Sequence, residues 1–159
     1  MSTRSIVGMY TSEDLSTWEA VYCHSDGYMK GVGQQIYTNW ITTFNGNGRA
    51  LGEFLISPRV GWSSLWGDFS IAPSWENTDG PRWYDDRPGE ENSKRMVHTH
   101  EDDPNDAWIE WAYLIDPYKN ELYIFYYMPQ KNDLVAIVTL ESATNMGELE
   151  SSYFDSFSE

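Results

Sequence analysis

Between residues 17 and 44 this chain changes its hydrophobic period, and that change constrains the fold more than anything else in the sequence. From Thr17 to Cys23 the residues alternate. Trp18, Ala20 and Tyr22 fall to one side and Thr17, Glu19, Val21 and Cys23 to the other, the two-residue repeat of a strand. After Gly31-Val32-Gly33, the residues Ile36, Trp40 and Phe44 recur at i, i+4 and i+8, with Tyr37 and Ile41 flanking the same stripe. That spacing predicts an amphipathic helix over 33–44, ended by Asn45-Gly46-Asn47-Gly48. A strand face followed so closely by a helix stripe calls for a helix laid on a sheet.

The remaining elements follow from similar local signals. Arg4 to Tyr10 reads as a strand, and polar Thr11-Ser12-Glu13-Asp14 turns it into the 17–23 strand as a hairpin. Ser25-Asp26-Gly27 turns the chain again. A short helical or irregular segment is expected over Arg49 to Ile56, stopped before Pro58. Residues 57–92 read as a long loop region with one short strand near Trp83, and Thr99 to Asn105 as an acidic connector. Trp108 to Ile115 and Glu121 to Met128, rich in aromatic and β-branched residues, flank Asp116-Pro117-Tyr118-Lys119-Asn120 as a second hairpin. Leu134 to Leu140 is nearly continuous apolar and reads as a buried strand, paired with Glu121 to Met128. The expected fold is single-domain α+β over 1–144, an antiparallel sheet of hairpins with one main amphipathic helix on one face. An acidic, mobile tail follows over 145–159, from which Tyr153, Phe154 and Phe157 are available to dock.

Aliphatic residues are sparse and rings are not: 8 Trp and 11 Tyr stand among 159 residues, so rings must supply much of the core. Some remain available as surface anchors, with Trp62, Trp66, Trp75 and Trp83 the candidates. The formal charge is −15, and it is uneven, with −4 over residues 1–80 and −11 over 81–159. Such a field repels nucleic-acid phosphates and anionic membrane surfaces and attracts a basic protein. The acidic candidates for that contact are Asp85, Asp86, Glu90, Glu91, Glu101, Asp102, Asp103 and Asp106. One cysteine, Cys23, allows no internal disulfide, and no apolar run has the length of a membrane span or signal peptide, so a cytoplasmic setting is expected. The aromatic excess equally suits a homo-oligomer face.

Three clusters carry chemistry-bearing residue types. In Cys23-His24-Ser25-Asp26 a thiol adjoins an imidazole, but strand alternation sends residues 23 and 24 to opposite faces, leaving His24 and Asp26 as the weak catalytic candidates. With Tyr28, Arg87 and Glu90, His24 makes a candidate ligand pocket. His98 and His100, at i and i+2 on a strand, project together and are weak metal candidates beside Glu101 to Asp103, although a third histidine ligand is missing. Gly31-Val32-Gly33 lacks the third glycine of a dinucleotide site, because Ile36 stands there, so turn geometry is its simpler role. No cofactor is expected.

The run Ser2-Thr3-Arg4-Ser5-Ile6, then Val21-Tyr22-Cys23-His24-Ser25-Asp26-Gly27-Tyr28 and Gly31-Val32-Gly33, resembles a group of small uncharacterised bacteriophage and mobile-element proteins with an STRS-I, YCHxDGY and GxG signature. Ser25 replaces the group's usual Trp and Met29 its usual Pro. Asp85-Asp86-Arg87-Pro88-Gly89-Glu90 and the strand from Trp108 to Leu114 are looser matches. The resemblance implies a phage-encoded accessory protein acting in a host bacterium. Together with the charge it leads to an expected role: binding and modulating a host or defence protein with a basic surface, by imitating nucleic-acid charge. The alternative is a small ligand- or nucleotide-binding domain, or an enzyme, centred on His24, Asp26 and Arg87.

Overall fold

The computed structural model describes residues 3–58, 60–83, 97–102, 108–127, 133–142 and 145–156. The fold is α+β. Its described strands are β1 (Ser5–Tyr10), β2 (Trp18–Cys23), β3 (Trp62–Ser64), β4 (Arg82–Trp83), β5 (Val97–Thr99), β6 (Trp111–Asp116), β7 (Glu121–Tyr126) and β8 (Asp133–Val138). They form one sheet in the order β4-β3-β2-β1-β6-β7-β8, with β5 also paired to β2. Helices α1 (Gln34–Ile41), α2 (Gly48–Leu55) and α3 (Met146–Asp155) accompany it.

Both expected hairpins are present. β1 and β2 pair antiparallel, as do β6 and β7, and β8 adds antiparallel to β7. What joins the two halves is a parallel pair, β1 with β6, so the sheet is mixed. A parallel pair needs a crossover, and the α1–α2 region lies within the one between them. β1 is therefore central, and Ile6 and Val7, on opposite faces, are both fully buried.

One face carries all three helices. Ile36 and Trp40 of α1, Leu51 and Leu55 of α2 and Met146 of α3 pack against Val7, Val21, Cys23, Tyr113, Ile115 and Ile124. The second face is an aromatic and aliphatic cluster against which no described helix packs. There Ile6, Tyr10, Ala20, Ala112, Leu114 and Tyr127 are joined by part-buried Trp18, Tyr22, Tyr123 and Phe125.

Several local expectations shift. α1 is preceded by a π-helical turn over Met29–Gly33 and ends at Ile41, whose side chain is exposed instead of joining the stripe. Trp108 precedes its strand, in the left-handed region at φ 59°. β8 is not the buried strand its composition suggests; it ends the sheet, with Leu134 and Ile137 exposed. The segment expected to be a mobile tail is α3. Asn145 caps it by accepting from the Glu148 N–H at 3.1 Å, and Tyr153 and Phe154 dock on Trp111 and Tyr126. Phe157 lies outside the described residues.

Two turns tie the sheet to the helices. Asp116 Oδ1 accepts the Tyr118 and Lys119 N–H groups across the β6–β7 turn. Asn120, at φ 57°, then donates to the Gly46 carbonyl and accepts the Gly48 N–H, each at 2.8 Å, pinning the α1–α2 connection.

Candidate functional site

The segment with the densest chemistry, residues 23–33, is built for architecture. Cys23 is fully buried, and burial pushes its thiol up to about 12, far from a thiolate at neutral pH. β2 ends at Cys23, so the alternation that would align His24 with Asp26 stops there. Tyr22 Oη lies 2.7 Å from His24 Nδ1, while Tyr28 donates to Asp26 Oδ1 at 3.2 Å. The expected His24–Asp26 pairing is thus replaced by two separate tyrosine pairs. Burial, and then the charge of Arg4, hold the His24 imidazole below its ordinary value. Arg87 and Glu90, the other half of the ligand-pocket alternative, lie outside the described residues.

The glycines of this segment serve close packing. A Cβ on Gly31 would stand 2.3 Å from the Asp26 carbonyl oxygen, which accepts the Val32 N–H at 2.8 Å. Gly27 donates its N–H to the Thr3 carbonyl and accepts the Tyr113 hydroxyl at 2.7 Å. The Met29 N–H, an amide that an anionic ligand would seek, already donates to Glu150 Oε1 of α3 at 2.7 Å. A carboxylate from the chain itself fills that position.

The metal candidates part company for a similar reason. His98 sits on β5 opposite Ala20, and burial holds its imidazole below the ordinary value against the opposing effect of Asp102. His100 lies past the strand end, in a turn, 4.0 Å from Glu101. Asp102 is engaged with the Thr99 N–H at 2.7 Å. Among the described residues, no three His, Cys, Asp or Glu side chains gather to hold a metal ion.

The four tryptophans separate sharply. Trp62 is core, not anchor: it is fully buried beside Phe54 and its Nε1 donates to the Leu55 carbonyl at 2.9 Å. Trp83 packs against the same core and Trp75 is half-buried, its carbonyl accepting Arg82 Nε at 2.8 Å. Trp66 alone of the four is exposed, at 54%. Of the acidic candidates, Glu101 and Asp102 are exposed, whereas Asp85, Asp86, Glu90, Glu91, Asp103 and Asp106 lie outside the described residues.

Directly after Trp66 in the chain comes a feature that sequence patterns do not reveal. The next residues, Gly67 to Ser70, and one face of α1 enclose an open groove of about 530 Å³ lined by Gln35, Thr38, Asn39, Thr42, Thr43, Gly67, Asp68 and Ser70. Asn39, almost fully buried, builds it. Its amide nitrogen donates to the Gln35 and Gly67 carbonyls at 2.8 and 2.9 Å, and its oxygen accepts the Thr43 hydroxyl and the Phe69 N–H at 2.7 and 2.9 Å. Gln35 Oε1 takes the Gly67 N–H at 3.0 Å. Asp68 is the charged group in the lining; the Ser70 N–H and hydroxyl, with the Thr43 hydroxyl, hold its carboxyl below the ordinary value. Gly67, at φ 83°, approaches the carbonyl of exposed Asp79. The available sequence signal was a polar Asn facing inward from a helix whose other inward positions are apolar.

The chain matches no family model, no curated protein and no solved structure. No described helix is long and apolar enough to cross a membrane.

Proposed function

We propose that this protein binds and modulates a basic protein partner, in keeping with a phage-encoded factor directed at a host or defence protein. The observation that carries the reading is Trp66, an exposed ring that directly precedes in the chain the groove-lining residues Gly67 and Asp68. A large exposed ring is a common anchor of a protein interface, and a nearby carboxylate such as that of Asp68 favours a cationic partner. The wider charge supports the same reading. The formal net charge of −15 gives the molecule a negative field that attracts a basic surface. Imitation of a nucleic-acid backbone is the use of such a field that fits a basic partner, and direct binding to DNA or RNA is opposed by it.

The test is capture from bacterial lysate at low salt, with elution by duplex DNA and by added salt. A specific partner should elute under both, since each competes for the same basic surface. Trp66→Ala should weaken capture about tenfold or more while leaving stability unchanged. Trp62→Ala is the contrast: it should destabilise the fold by about 3–5 kcal/mol, as for other buried tryptophans. A partner that ignores salt and DNA, or that binds the Trp66 variant normally, refutes the reading.

A further inference from the structure

We infer that the outer edge of β8 takes up a cationic, extended segment of the partner as an added strand. This rests on the proposed basic partner and assigns the surface that receives its backbone. β8 is the last strand in the sheet order, and among the described residues its strand partner is β7. From Leu134 to Val138 it carries neither charge nor proline, two of the devices that close an edge to pairing. Its register against β7 slips by one residue: Phe125 faces Leu134, Ile124 faces Ala136 and Tyr123 faces Ile137. The extra residue brings Leu134 and Ile137, three positions apart, to the same side as the stacked Tyr123 and Phe125 rings. Both aliphatics remain exposed, at 48% and 45%, on the face that carries no described helix. Strand addition needs main-chain hydrogen bonds and side-chain contact; among the described residues no strand pairs with the outer edge of β8, and Leu134 and Ile137 supply exposed side chains.

Charge selects the occupant. Asp133 and Glu141 bracket the apolar stretch, and Glu121 lies beside its Val138 end through the Leu122–Val138 pairing. A second copy of the chain would bring another −15 to the same edge. β8 itself ends at Val138 and Glu141 lies in the following turn, so a segment with Lys or Arg at either end of its paired stretch meets a carboxylate near each end.

The test uses the full chain and a synthetic peptide of alternating Val and Thr with Lys at both ends, read by fluorescence anisotropy and amide hydrogen exchange. Binding should protect amides within 134–138, fade as salt rises, and vanish when the peptide backbone is N-methylated. Leu134→Gln combined with Ile137→Gln, both at exposed positions, should weaken it about tenfold or more with an unchanged melting temperature. Absence of binding, or binding indifferent to those changes, overturns the inference. So does dimerisation abolished by the same double substitution, which would assign the edge to a second copy. Trp66→Ala should leave peptide binding intact. Peptide failure with Trp66-dependent capture preserved refutes the edge site alone, and the converse result refutes the proposed function alone.

Discussion

Replacing Asn39 by Ala probes the bracket that holds Trp66 in place. Two of the four Asn39 hydrogen bonds stay within α1 and the turn that follows it, to the Gln35 carbonyl and from the Thr43 hydroxyl. Losing them costs little, because Thr43 can turn to Asp68, already 3.3 Å away. The other two cross to the 67–69 loop, and these decide the outcome. Removing the Asn39 oxygen strands the buried Phe69 N–H, which costs about 1–3 kcal/mol, and the Gly67 carbonyl loses a bond worth about 1 kcal/mol. The expected loss is therefore about 3 kcal/mol. At a urea slope of about 2 kcal/mol per molar, the unfolding midpoint should fall by about 1.5 M. Phe69 stacks on Phe54 at 5.0 Å, and Phe54 lies against Trp62, so near-ultraviolet circular dichroism should report the loosened loop before global unfolding. Capture of the basic partner should weaken as well, since Trp66 loses its footing. A midpoint shift below about 0.5 M with an unchanged aromatic spectrum would show that the loop is held by something other than Asn39.

Other expected outcomes follow from burial and close packing. Cys23 should resist a thiol reagent at pH 8 in the native protein and react fully in denaturant, because burial pushes the thiol up to about 12; rapid native labelling would contradict its placement. His98 is held below its ordinary value, so below the unfolded pKa of about 6.5 the unfolded chain takes up a proton that the folded chain resists. Stability should consequently fall as the pH drops from 7 to 5, and His98→Asn should flatten that part of the profile in urea titrations; an unaltered profile would count against it. Gly31→Ala should abolish or severely impair folding, since its Cβ would collide with the Asp26 carbonyl oxygen; expression with native circular dichroism would refute the close approach.

Local chemistry alone determined the pieces of this protein. Alternation fixed the faces of β2, with Val21 and Cys23 in one cluster and Ala20 in the other, and the Ile36–Trp40 spacing found α1. Asp116-Pro117 marked the β6–β7 turn, and the charge was legible as a simple count. The candidate site was legible only in part. By sequence Trp66 is equivalent to Trp62, Trp75 and Trp83, and the groove that follows it is not legible, because no local pattern shows that Asn39 reaches a loop 28 residues away. Tertiary structure decided which tryptophan is core and which is exposed. It also made the parallel β1–β6 pair, docked α3 on Trp111, and turned Leu134 and Ile137 outward at an edge. The physical reason is common to all of these. Hydrophobic period reports which side of an element is apolar, but burial depends on what pairs or packs against that side, and a one-residue slip such as that in β8 reverses the face without altering the composition.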